Sequence, residues 1–87
     1  MAIEVRAAGE DTFEVTVEEG GSSSRHTVTL DDDYHRKLTE GGINKEELIR
    51  RSFEFLLERE PKESILSSFN LKVINRYFPE YEDEIAS

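Results

Sequence analysis

The sequence contains no cysteine. This excludes disulfides, thiolate metal sites and cysteine nucleophiles at once. Small secreted domains commonly rely on such staples, so their absence points to a reducing compartment. No apolar run approaches the ~20 residues of a membrane span. The start, Met1-Ala2-Ile3-Glu4-Val5, has no basic stretch leading into an apolar one and does not read as a signal peptide. The expectation is a cytoplasmic chain with no membrane association. Positive charge is also scarce: 11 Lys and Arg stand against 20 Asp and Glu, a formal net charge of −9. A field of that sign repels nucleic acid and anionic membranes and favours basic partners. The acids run along the whole chain and do not gather in a detachable tail.

Hydrophobic residues make up 36% of the 87 positions, no more than the charged ones. The length suits a single domain, residues 1–87. A chain this short buries only about 60–65% of the surface its unfolded form exposes. Its core is therefore thin, and a partner protein or a second copy can supply part of it. Five Phe and three Tyr offset the shortage, because each buries a large apolar area.

The first third alternates with period two. Ile3 and Val5 alternate with Glu4 and Arg6, then Phe13, Val15 and Val17 with Glu14, Thr16 and Glu18, then His26, Val28 and Leu30 with Arg25, Thr27 and Thr29. Alternation of this kind marks half-buried strands. Ala8-Gly9-Glu10-Asp11 reads as a turn and Gly20-Gly21-Ser22-Ser23-Ser24 as a flexible loop. The period then becomes helical. Asp31, Asp32 and Asp33 offer N-caps, Tyr34 and Leu38 share a face, and Gly41-Gly42 offers a C-cap. Asn44 with Glu47 makes a capping box, and Ile43 with Leu48 a hydrophobic staple. The stripe Leu48, Ile49, Ser52, Phe53, Leu56, Leu57 follows, with Phe55 at its edge, and Pro61 ends the helix. Two shorter apolar patterns, Ile65-Leu66-Phe69 and Leu71-Ile74-Phe78, suggest further helices.

The predicted fold is α+β. A three-stranded antiparallel sheet (about 2–8, 12–18, 24–30) is followed by three to four helices (about 32–40, 45–59, 62–69, 71–78) packed on one face, with a polar tail from about residue 80. The predicted core is Val5, Phe13, Val15, Val17, Val28, Leu30, Leu38, Leu48, Ile49, Phe53, Leu56, Leu57, Ile65, Phe69, Ile74 and Phe78.

No catalytic, cofactor-binding or metal-binding residues are assigned. His26 and His35 lack the third and fourth ligands that zinc needs. Asp31-Asp32-Asp33 lacks the frame of a calcium loop and is better explained by helix capping. There is no nucleophile elbow and no Ser-His-Asp arrangement, and the Gly/Ser loop lacks the Lys of a phosphate loop. A domain this small also leaves little room for a pocket of ~300 Å³. The reading is therefore a non-catalytic domain, without cofactor or small-molecule substrate, that acts through protein contacts or self-association. The candidate interaction face is the outer side of the sheet: Arg6, Thr16, Arg25, Thr27 and Thr29. The segment Tyr77-Phe78-Pro79-Glu80-Tyr81, aromatic among acids, is either a binding segment or, as favoured here, the lower closure of the core by Phe78 and one Tyr.

Residues 25–59 resemble the ribbon-helix-helix repressors. Arg25-His26-Thr27-Val28-Thr29-Leu30 stands as the strand, Asp32 to Glu40 as the first helix, and Gly42-Ile43-Asn44-Lys45 as the turn. Glu46-Glu47-Leu48-Ile49-Arg50-Arg51 opens the second helix. The resemblance implies a dimer whose paired strands read DNA through Arg25, Thr27 and Thr29, with a phosphate held by the backbone amides at Asn44 and Lys45 where the second helix starts. It equally implies a toxin-neutralising protein, which suits the acidic surface better. Two strands upstream, and nine acids against seven bases in residues 25–60, depart from the family.

Overall fold

The computed structural model describes residues 1–40 and 42–86. The alternating segments form β1 (Ala2–Ala7), β2 (Thr12–Glu19) and β3 (Ser22–Thr29), an antiparallel meander. Register places Val5 opposite Val15 and Val15 opposite His26, so Phe13, Val15, Val17, His26 and Val28 all face inward and are buried. The β2–β3 connection is tighter than the sequence suggests. Only Gly20 and Gly21 turn, with φ of 61° and 81°. Two successive positive φ values are what a two-residue hairpin turn demands, and glycine meets them without a steric penalty. Ser22, Ser23 and Ser24 belong to β3.

Helix α1 (Asp32–Thr39) is capped by the Asp31 carboxylate, which accepts from the Tyr34 N–H at 2.7 Å. It closes on Glu40, whose φ is 53°. The expected C-cap residue Gly41 lies outside the described residues. Helix α2 (Lys45–Leu57) is capped by Asn44, whose Oδ1 accepts from the Glu47 N–H at 2.8 Å. The Glu47 side chain meets Arg51 at 3.0 Å, one helical turn on. α2 packs against β1 and buries Leu48, Ile49, Ser52, Phe53, Phe55 and Leu56.

Beyond α2 the structure departs from the sequence-based expectation. The sheet has a fourth strand, β4 (Ser68–Asn70), parallel to β3, so it is mixed and ordered β1-β2-β3-β4. There is no helix over 62–69, only a 3-10 turn at Lys62–Ser64. Ile65, Leu66 and Phe69 mimic a helical spacing. The loop instead runs extended because β3 offers it a ladder, beginning with the Thr27 N–H donating to Ser67 O at 2.8 Å. The segment 71–78 divides into a 3-10 turn at Leu71–Val73 and a single-turn helix α3 (Ile74–Tyr77). The supposed polar tail forms α4 (Tyr81–Ile85). Its inward positions, Tyr81 and Ile85, lie four apart and share a face.

The core consequently extends further down the chain than expected. Tyr34, Phe55, Leu71 and Tyr81 join it as buried residues, whereas Val5, Leu57, Phe69 and Phe78 are only partly buried against it. Phe55 is buried because α3 and α4 close over the far side of α2. Its ring meets Phe78 and Tyr81 edge-on, at centroid distances of 5.9 and 5.2 Å. The Arg59 guanidinium lies 3.6 Å over the same ring. Among the described residues no helix is long and apolar enough to cross a membrane.

Candidate functional site

The outer face of the sheet carries its side chains in rows. Glu4, Thr16 and Arg25 are in register, as are Arg6, Glu14, Thr27 and Ser68, and as are Thr12, Thr29 and Asn70. Arg6, Thr16 and Arg25 come together with Glu4 and Glu14 around a shallow polar depression of about 80 Å³. Thr27 and Thr29 lie further along the same face. Arg6 is tied to Glu14 across the strands at 3.1 Å. The face is a balanced, solvated surface, where cross-strand pairs of this kind contribute a few tenths of a kcal/mol to about 1 kcal/mol.

The side chains of Asn44 and Lys45, at the start of α2, both bond within the chain. The Asn44 carboxamide caps α2. The Lys45 ammonium sits between Asp11 at 2.8 Å and Asp32 at 2.6 Å, and these carboxylates raise its pKa. β3, the strand of the ribbon-helix-helix resemblance, pairs with β2 along its length and with β4 at its end. A ribbon shared between two chains would require those pairings to be exchanged.

Each histidine bonds to the fold. Nδ1 of His26 lies 2.7 Å from Leu66 O and Nε2 lies 2.8 Å from Ser24 Oγ; a carbonyl only accepts, so Nδ1 carries the proton that it donates to Leu66. His35 Nε2 bonds to Ile43 O. Among the described residues no three His, Asp or Glu side chains are grouped to hold a metal.

A more distinctive feature lies on the other side of the molecule. The end of α2, the 62–64 turn, β4 and α3 enclose a groove of about 330 Å³. This exceeds the space expected of so small a domain. Leu56, Ile65, Phe69, Ile74 and Phe78 form its floor and walls, and Leu66 and Tyr77 stand at its lip. Leu66 is 47% and Tyr77 66% exposed, the only large apolar side chains so exposed among the described residues apart from Met1. Large apolar groups grouped around a concave surface are uncommon on a protein that works alone. The wall is fixed in place, since the His26 ring holds the Leu66 carbonyl and itself packs against Phe53, with ring centroids 5.3 Å apart and planes tilted by 55°.

One charged group lines this groove, Glu60. Burial among apolar neighbours pushes its carboxyl pKa above the ordinary carboxylate range. Neither Glu60 nor the exposure of Leu66, which belongs to an apolar pattern in the sequence, is legible as part of a site, because the groove is assembled from four non-local segments. Tyr77 falls in the aromatic segment singled out above. That segment splits three ways: Tyr81 is fully buried, Phe78 is half-buried, and Tyr77 is left outside.

Comparison with protein-family models, with curated proteins and with solved structures finds no match to this chain.

Proposed function

We propose that this chain is a non-catalytic interaction domain that acts by contact with another protein, and that the groove between α2, β4 and α3 is its contact surface. The observation that carries this reading is the pairing of a preformed apolar groove with two exposed apolar residues, Leu66 and Tyr77, at its lip. Buried aromatic and aliphatic anchors in such grooves supply most of the affinity at interfaces. The net charge of −9 supports a partner of opposite charge over a second copy of this chain, since two such copies repel. It also speaks against nucleic acid.

The test compares the wild-type chain with a Leu66→Ser/Tyr77→Ser double variant, each chemically cross-linked in its own cells. Both substitutions are at exposed positions and should change stability by no more than about 0.5 kcal/mol each. A partner that cross-links to the wild type and is lost from the folded variant supports the reading. A partner retained by the variant removes the groove from it. An obligate dimer in sedimentation equilibrium, unaffected by the double variant, would instead favour the ribbon-helix-helix alternative.

A further inference from the structure

The groove contains a charge that the chain itself does not neutralise. Glu60 lies between two acids that are paired: Glu58 meets Arg59 at 3.4 Å and Glu63 meets Lys62 at 2.6 Å. The two nearest bases in sequence are thus committed elsewhere. Arg59 also reaches Glu80 and Glu84, at 3.3 and 2.8 Å, while Lys62 is itself buried. No Lys or Arg among the described residues holds the Glu60 carboxylate, and its desolvation goes uncompensated. A half-buried acid left in an apolar groove destabilises the free protein. A partner that brings a cation to this position gains an ion pair in a site the fold has already partly desolvated.

We infer that the groove receives a segment of a basic partner protein in which a lysine or arginine stands beside apolar side chains, the apolar groups packing on Leu66, Phe69 and Tyr77 and the cation meeting Glu60. This rests on the docking reading above and adds the chemistry of the partner. A purely apolar segment would bury Glu60 further without compensation, and an acidic one would add like charge to it. The groove is open along Leu66 and Tyr77, so an occupant keeps one side in solvent. That suits a segment of a larger chain better than a small molecule, which a pocket normally encloses over most of its surface.

The experiment uses three capped hexapeptides, Gly-Leu-Leu-Lys-Leu-Gly and its counterparts with glutamine or glutamate in place of lysine. Each is titrated into the full chain while the methyl resonances of Leu66, Ile65 and Ile74 are followed by NMR. The wild type is compared with Glu60→Gln and with Glu54→Gln, an exposed acid outside the groove. The lysine peptide should bind about fivefold more tightly than the glutamine peptide, the order of one partly exposed ion pair, and the glutamate peptide should bind most weakly. The lysine preference should vanish in Glu60→Gln and persist in Glu54→Gln. Equal binding of the three peptides leaves the groove as a docking surface and overturns the inference. A lysine preference that survives Glu60→Gln reflects net charge alone and also overturns it. Methyl resonances unmoved by any peptide overturn the docking reading together with the inference.

Discussion

The phenol oxygen of Tyr81 lies 2.6 Å from the hydroxyl of Ser52, with both side chains fully buried. Ser52 donates its own proton to Leu48 O at 2.8 Å, so Tyr81 is the donor in this pair. One hydrogen bond thus fixes α4, the last helix, to the middle of α2. Burial raises the Tyr81 pKa, which keeps the phenol protonated and able to donate.

This pair predicts a graded response. Tyr81→Phe removes one net hydrogen bond while leaving Ser52 bonded to Leu48, and should cost about 0.5–1.5 kcal/mol. Tyr81→Ala opens a cavity beside Phe55 and should cost about 3–5 kcal/mol, much of the stability of so small a domain. Urea denaturation of the two variants checks both figures. Equal, negligible losses would mean that α4 is not part of the folded core.

Lys45 predicts a behaviour in acid. Its ammonium joins Asp11 in the β1–β2 connection to Asp32 in the first turn of α1. The Lys45 hydrogen bond lowers the Asp32 pKa. A carboxylate with a depressed folded pKa stabilises the fold above its unfolded value, near ~3.9, and the contribution fades as pH falls through the folded value. Lys45→Met should therefore lower the urea midpoint at pH ~7 and narrow its difference from the wild type towards pH ~3. High salt should narrow it further, since Asp32 is largely exposed.

His26 predicts a coupling between the sheet and the groove. Removing its ring leaves the Leu66 carbonyl without its side-chain partner, takes a ring contact from Phe53 and loosens the loop ahead of β4. The lost hydrogen bond is part-buried, so its removal should cost about 1 kcal/mol. His26→Leu should also speed hydrogen exchange at the Thr27 amide, which donates to Ser67 O. Unchanged exchange there would show that the β3–β4 ladder stands without the histidine.

Much of the fold was legible in local sequence. The strands declared themselves through alternation at Phe13, Val15 and Val17, and α2 through Asn44 and its apolar stripe, because each signal is contained within a few residues. β4 was not legible. It is three residues long, too short for the alternation of Ser68, Phe69 and Asn70 to stand out, and exists only because β3 offers it an edge. α4 was hidden by its acids, since only Tyr81 and Ile85 turn inward. Strand parity also puts Arg6, Thr16 and Arg25 on one face, as the register has them. The groove is not legible in the sequence, because Leu56, Glu60, Leu66 and Tyr77 meet only once β4 and α3 are in place.

Glu60 predicts opposite effects on stability and on binding. Its folded pKa is raised by burial, so the fold is most stable when the acid is protonated and loses stability as pH rises through the folded value. Glu60→Gln should raise the melting temperature at pH ~7 and converge on the wild type near pH ~4. The same change should weaken a cationic partner. A variant that loses stability at neutral pH would show that the Glu60 charge supports the free fold.

The most direct test of the groove as a contact surface is site-specific photo-cross-linking in the protein's own cells. One reactive side chain replaces Tyr77 at the groove lip, and another, in a separate variant, replaces Thr16 on the outer face of the sheet. The account predicts a discrete adduct with a basic protein from position 77, abolished by Leu66→Ser, and none from position 16. Adducts from position 16 alone, or from position 77 only with a second copy of this chain, would contradict it.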